Sequence, residues 1–202
     1  ASIVQEHDLM VIADEIYERL VYDGCKHVSI ASLPGMKERT FTMNGMSKAY
    51  AMDGWRLGYV AAPEEYITAM NKFHQHNTTC APSFVQAAAI AALTQEGDEV
   101  KEMVKEYQRR RDYAVKAIND IDGISCLCPK GAFYIFINCK SLGKPSAELA
   151  SYLLDEAKIA LVPGDVFGPG GEGYLRLSFA NSYDNIVDGC KRLAQAVAKL
   201  RQ

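Results

Sequence analysis

The stretch Asn44-Gly45-Met46-Ser47-Lys48-Ala49-Tyr50-Ala51-Met52-Asp53-Gly54-Trp55-Arg56-Leu57-Gly58-Tyr59 decides the fold. It sets Lys48 and Arg56 eight residues apart in a tight, glycine-punctuated segment. A short strand, Thr40-Phe41-Thr42-Met43, leads into it, and a second, Leu57-Gly58-Tyr59-Val60-Ala61-Ala62, carries it on until Pro63 stops the run. Upstream, Leu9-Met10-Val11-Ile12-Ala13 is continuously apolar, which predicts a parallel strand covered on both faces. That strand ends at Asp14, where open α/β sheets place their chemistry, and Tyr17 follows three residues later.

Working outward, residues 64–76 read as a helix, and Pro82 falls near the first position of another over residues 83–93. From Asp98 to about Asp120, Val100, Met103, Val104, Tyr107, Ala114, Val115 and Ile118 recur at helical spacing. Glu106 and Arg110 make a favourable i,i+4 pair in that helix. The run Arg109-Arg110-Arg111 invites a nucleic-acid reading, but acidic neighbours flank it, and a solvated helix face is expected. Gly123 ends the helix, and a strand pair follows over residues 124–128 and 132–137. Ser146 is the expected cap of a helix carrying Leu149, Leu153, Leu154 and Ala157. Two further strands, around residues 160–162 and 174–179, precede an amphipathic helix over residues 183–200. The N-terminal residues read as the end of a helix in mid-domain rather than as a signal peptide.

Composition narrows the class. A chain of 202 residues, 49% hydrophobic and 23% charged, is ordinary for a folded protein with a proper core. A net charge of −3 argues against nucleic acid or an anionic membrane as partner, and no apolar run reaches the ~18 residues of a spanning helix. The six cysteines are scattered without C-x-x-C spacing, so reduced thiols in a cytoplasmic protein are expected. His74, His76 and Cys80 lack a second ligand pair, which favours a structural or surface role over a metal. Gly168-Pro169-Gly170-Gly171-Glu172-Gly173 satisfies G-x-G-x-x-G in form only. A dinucleotide fingerprint opens a helix, whereas here a strand follows and Pro169 removes an amide.

Asp14, Tyr17, Ser47-Lys48, Asp53-Gly54-Trp55-Arg56 and the isolated Arg176 in Tyr174-Leu175-Arg176-Leu177-Ser178-Phe179 together resemble the class I and II pyridoxal-phosphate-dependent aminotransferases, the aspartate aminotransferase-like family. The resemblance covers the whole chain but only the C-terminal portion of a family member. It implies an α/β fold: part of the cofactor-binding large domain over residues 1–95, with a mixed, mostly parallel sheet, then a long linking helix and a small C-terminal α+β domain over 96–202.

By resemblance, Asp14 holds the pyridine nitrogen of pyridoxal 5'-phosphate, Tyr17 its phenolic oxygen, and Ser47 and Arg56 its phosphate. Lys48 forms the Schiff base and carries the proton during catalysis, and Arg176 grips the substrate α-carboxylate. Each has a bland counterpart: a capping aspartate, a packed tyrosine, a solvated lysine, an outward-facing arginine on an alternating strand. The family often carries a serine three residues before the lysine, where this chain has Gly45, so one phosphate contact is either missing or made by a backbone amide.

Segments 51–59 and Lys130-Gly131-Ala132-Phe133-Tyr134 look most like the bacterial-type branch. The implied activity is amino transfer from an amino acid to a keto acid, in a homodimer or in a pairing with a separate N-terminal subunit. The rivals are a carbon–sulfur lyase of the same fold and a truncated or split subunit that serves assembly without catalysis.

Overall fold

The computed structural model describes residues 1–95 and 97–201. The chain divides into two compact units, Ala1–Lys101 and Glu102–Gln202, with the division inside one long helix. The boundary expected at 95/96 touches Glu96, which lies outside the described residues.

In the N-terminal unit a short helix α1 (Ser2–Glu6) precedes β1 (Val11–Asp14), β2 (Thr40–Gly45) and β3 (Gly58–Ala61), which form a sheet in that order. β1 and β2 run parallel, from Val11 opposite Thr40 to Asp14 opposite Met43. β3 turns back antiparallel to β2, with Gly58 opposite Gly45. The sheet is therefore mixed. Two helices follow, α2 (Glu64–Asn77) and α3 (Ser83–Thr94), and Pro82 is the N-cap of α3, one residue before the expected position. Leu20, Tyr22, Met36, Met46, Ala49, Val85 and Ala89 are buried.

The expectation that β1 is covered on both faces fails. Burial alternates along it, and Ile12 stays 72% exposed. This edge strand has the composition of a doubly covered one, but the chain covers only one of its faces. The same holds for α2, which buries no residue and leaves Phe73 73% exposed, and for Phe84 and Ile90 on α3.

The C-terminal unit holds most of the long helix α4 (Glu99–Asn119) and an antiparallel sheet ordered β4-β5-β7-β6. Its strands are β4 (Ser125–Cys126), β5 (Tyr134–Asn138), β6 (Val162–Pro163) and β7 (Tyr174–Ser178). Strand alternation turns Ile135, Ile137 and Leu175 inward. There they share a core with Leu149 and Leu153 of α5 (Ser146–Ala157) and with Ile186, Leu193 and Val197 of α6 (Tyr183–Leu200). Removing side chains of this size from water contributes about 1.5–3 kcal/mol each, which is why these positions hold the unit together. Ser182 caps α6 by accepting the Asn185 N–H at 3.2 Å. From the middle of α6, Arg192 donates to the Ala157 and Lys158 carbonyls that α5 leaves open at its C-terminal end.

Two expectations are corrected here. Ser146 is the first residue of α5 and not its cap. Its amide is taken by the Glu172 carboxylate at 2.9 Å, while its hydroxyl accepts the Gly173 N–H at 2.8 Å. An acid from a distant loop thus fills the capping role, which no local motif announces. The arginine run is also not wholly solvated. Arg109 and Arg110 do pair with Glu106 on the outer face of α4, Arg110 at the expected i,i+4 spacing. Arg111, however, is only 2% exposed. It stands three and seven residues before Ala114 and Ile118 and so shares their buried face. Its guanidinium donates to Asp112 Oδ1 and, at 3.0 Å, to the Pro129 carbonyl.

All six cysteines are free. Burial pushes Cys139 up to about 12 and Cys126 and Cys190 up to about 11, leaving these thiols protonated and inert. Among the described residues no group of three or more His, Cys, Asp or Glu side chains has the arrangement of a metal site. Among the described residues no helix is long and apolar enough to cross a membrane.

Candidate active site

Parallel pairing of β1 and β2 brings their carboxyl ends to one end of the sheet, and antiparallel β3 begins at that same end. Asp14 closes β1, Tyr17 lies in the turn after it, Ser47 and Lys48 follow β2, and Arg56 precedes β3. Five of the six residues singled out from the sequence therefore meet at one end of one sheet. Arg176 belongs to the other unit, in the middle of β7.

The turn after β1 is built by its own side chains. Asp14 Oδ1 accepts the Ile16 N–H at 3.1 Å, an Asx turn that steers the chain away from the strand and leaves Oδ2 for another partner. The next residue, Glu15, is buried; its amide extends the pairing to Met43, and its carboxylate meets His27 Nε2 at 3.0 Å. That half-buried pair anchors the backbone immediately behind Asp14.

Residues 46–57 form a closed loop, with the Met46 N–H bonded to the Leu57 carbonyl and the Met52 N–H to the Met46 carbonyl, each at 3.2 Å. Inside it, Arg56 adopts the left-handed conformation, φ 54° and ψ 48°, and Ala51 also has φ of 51°. Non-glycine residues pay about 1–2 kcal/mol for this, strain that concentrates at functional loops. Arg56 donates through Nη1 to the Asp53 carbonyl at 2.8 Å, which fixes the side chain while leaving other N–H groups available.

A cavity of about 230 Å³ opens at this end of the sheet, lined by Ser47, Arg56, Asn44, Gly45, Ile16, Leu57 and Gly58. A hydroxyl and a guanidinium line it and no carboxylate does, the donor set of an anion site. Asp14, Tyr17 and Lys48 do not line that cavity. Gly45 is required by packing: a Cβ there would lie 2.8 Å from the Leu57 carbonyl oxygen. Its amide is taken by Asn44 Oδ1 at 2.7 Å. A serine hydroxyl at that position would need the β3 end to shift, and the amide that could replace it is already bonded.

Sequence reasoning missed several groups at this end of the sheet. Asn44 lines the cavity, and Tyr50 carries a buried hydroxyl without a hydrogen-bond partner among the described residues. Arg19 approaches the Tyr50 ring at 5.5 Å. Partial burial, with Glu18 and Tyr50 nearby, raises the Tyr59 phenol above its ordinary value. Of the groups missed, only Glu15 had a sequence signal: an acid directly following an apolar strand beside a second acid.

A profile described as aminotransferase class I and II matches residues 1–193. The chain belongs to that family. It is 49% identical over 199 residues to an aspartate aminotransferase of Pyrococcus abyssi, covering 98% of this chain and 51% of that protein. It is 47% identical to aromatic-amino-acid aminotransferase 2 of Thermococcus litoralis, with the same coverage. An aromatic aminotransferase structure from Pyrococcus horikoshii superimposes with a TM-score of 0.96 at 46% identity, over 99% of this chain and 54% of that one. The aspartate aminotransferase of Rhizobium meliloti follows at 0.92 and 39%, over 97% and 51%. The chain spans about half the length of the relatives it matches.

Proposed function

We propose that this aminotransferase-family chain belongs to an enzyme that moves the amino group of an α-amino acid to an α-keto acid with pyridoxal 5'-phosphate as cofactor. The reading is carried by one observation: Ser47 and Arg56 line a single anion-compatible cavity at the sheet end where Asp14, Tyr17 and Lys48 also lie. Relatives named aspartate and aromatic aminotransferases support it.

The chemistry that pyridoxal phosphate supplies there is an electron sink for the pair released when the substrate α-carbon loses its proton. Arg56 and Ser47 bind the phosphate, the guanidinium offsetting its charge. Asp14, through the oxygen not held by Ile16, keeps a proton on the ring nitrogen. Tyr17 donates its hydroxyl to the ring's phenolic oxygen. Lys48 Nζ would anchor the cofactor and, once the substrate amine has displaced it, would be the free base that takes the proton from the substrate α-carbon. Arg176 binds the α-carboxylate, a planar acceptor that matches its fork of N–H donors.

The exposed Ile12, Phe73, Phe84 and Ile90 support a second part of the proposal. Apolar surface of this extent is covered in the working protein, by the N-terminal half that the relatives possess or by a second copy. The 202-residue chain by itself is catalytically silent and self-associates. The test is an assay of the purified chain with pyridoxal phosphate, an amino acid and 2-oxoglutarate, alongside light scattering, before and after adding an N-terminal half. Activity that appears only after complementation supports the proposal; turnover by the monomeric chain overturns it.

A further inference from the structure

Aromatic rings crowd the outer face of the C-terminal sheet around Arg176. Because Ile135 and Ile137 of β5 face the core, Tyr134 and Phe136 stand on the other face, and β7 sets Arg176 opposite Phe136. The Arg176 guanidinium carbon lies 4.4 Å from the centroid of the Tyr134 ring and 4.4 Å from that of Phe167. Tyr134 comes from β5, whereas Phe167 ends the single-turn helix Gly164–Phe167, so two separate segments grip one side chain. Phe136 supports the arrangement, stacked on Tyr174 at 5.0 Å and meeting Phe167 edge-on at 6.2 Å. No carboxylate of the described residues forms an ion pair with Arg176, in contrast to Arg109, Arg110, Arg111 and Arg192.

The difference has a chemical consequence. An ion pair would restrain the guanidinium but consume N–H donors and neutralise its charge. Ring quadrupoles restrain a cation while using none of its N–H groups. We propose that Tyr134 and Phe167 are positioning residues that hold the Arg176 guanidinium in place and leave its N–H fork unspent for the substrate carboxylate. The inference rests on the reading of Arg176 as the carboxylate binder. Restraining a side chain as mobile as arginine before the substrate arrives lowers the entropy lost on binding.

Two measurements test it. In the 202-residue chain, NMR should find the Arg176 δ-methylene protons shifted upfield by the two rings. Phe167→Leu should remove part of that shift and Phe167→Tyr should keep it. In the complete protein loaded with pyridoxal phosphate, Phe167→Leu should raise KM for the amino acid about fivefold to tenfold with kcat within about twofold, and Phe167→Tyr should restore KM. Tyr134→Leu and Tyr134→Phe repeat the comparison from the other ring, should Phe167→Leu fail to fold. Arg176→Ala run in parallel separates the two ideas. If it raises KM while the leucine variants do not, the rings play no positioning role and the inference is wrong, though Arg176 keeps its role. If Arg176→Ala itself leaves KM unchanged, the carboxylate reading falls and this inference falls with it.

Discussion

Arg111 is among the largest fully buried side chains of the described residues, and its loss should be costly to the C-terminal unit. Replacing it with alanine has two separable effects. The half-buried Pro129 carbonyl loses a donor at 3.0 Å, which costs about 1–3 kcal/mol to the extent that water does not take the donor's place. Asp112 is half exposed and recovers water, so its share is small. The arginine stem, buried with the rest of the side chain, adds two to three methylenes at ~0.8 kcal/mol each. The sum is ~3–5 kcal/mol, against a domain stability that is typically ~5–15. Arg111→Met keeps the stem and loses only the polar contacts, so it should cost ~1–3 kcal/mol. Urea unfolding followed by circular dichroism, at matched protein concentration, measures both through the midpoint. If both variants lose less than about 1 kcal/mol, or if methionine is as damaging as alanine, this apportioning of Arg111 is wrong.

Three further outcomes follow from other parts of the molecule. Hydrogen bonds from Arg109 and then Arg110 hold Glu106 down to about 2, so its contribution is present above its ordinary value near 4.5 and is lost as pH falls from there toward 2; in Glu106→Gln the melting temperature should lose that part of its pH dependence, and salt should shrink the difference between the two proteins. Gly171→Ala should destabilise the C-terminal unit by ~1–3 kcal/mol, because the new methyl would collide with the Gly164 carbonyl, and it should also disturb the turn that carries Phe167; an unchanged melting curve would contradict this. Iodoacetamide at pH 8 should label the exposed Cys80 and Cys128 in the native chain well before Cys126, Cys139 and Cys190, an order that peptide mass spectrometry reads directly.

Periodic and punctuated segments are legible in the amino-acid sequence alone. α6 falls on residues 183–200 as its apolar spacing requires, and β1, β2 and β3 follow from apolar runs broken by glycine and proline. Candidate site residues can be named because the lysine, arginines, aspartate and tyrosine fall in the order and spacing that resembles the aminotransferase family. Contacts made across long sequence separations are not legible in this way. Glu172 reaches the start of α5 over 26 residues, so Ser146 reads as a cap when only its neighbours are considered. Arg111 is hidden within three consecutive arginines, and only the rotation of α4 against its core separates it from the other two. The rings around Arg176 come from segments 42 and 9 residues away, and nothing in the local sequence joins them. β1 misleads for a different reason: its composition suits a strand covered on both faces, and this chain covers one.

The central claim is that Lys48 is the cofactor lysine. It is tested most directly by adding pyridoxal phosphate to the complemented protein, reducing with borohydride and mapping the pyridoxyl group by peptide mass spectrometry. The account predicts a single modified peptide carrying the group on Lys48, lost in Lys48→Ala. Labelling on another lysine, or labelling that Lys48→Ala leaves intact, would contradict it.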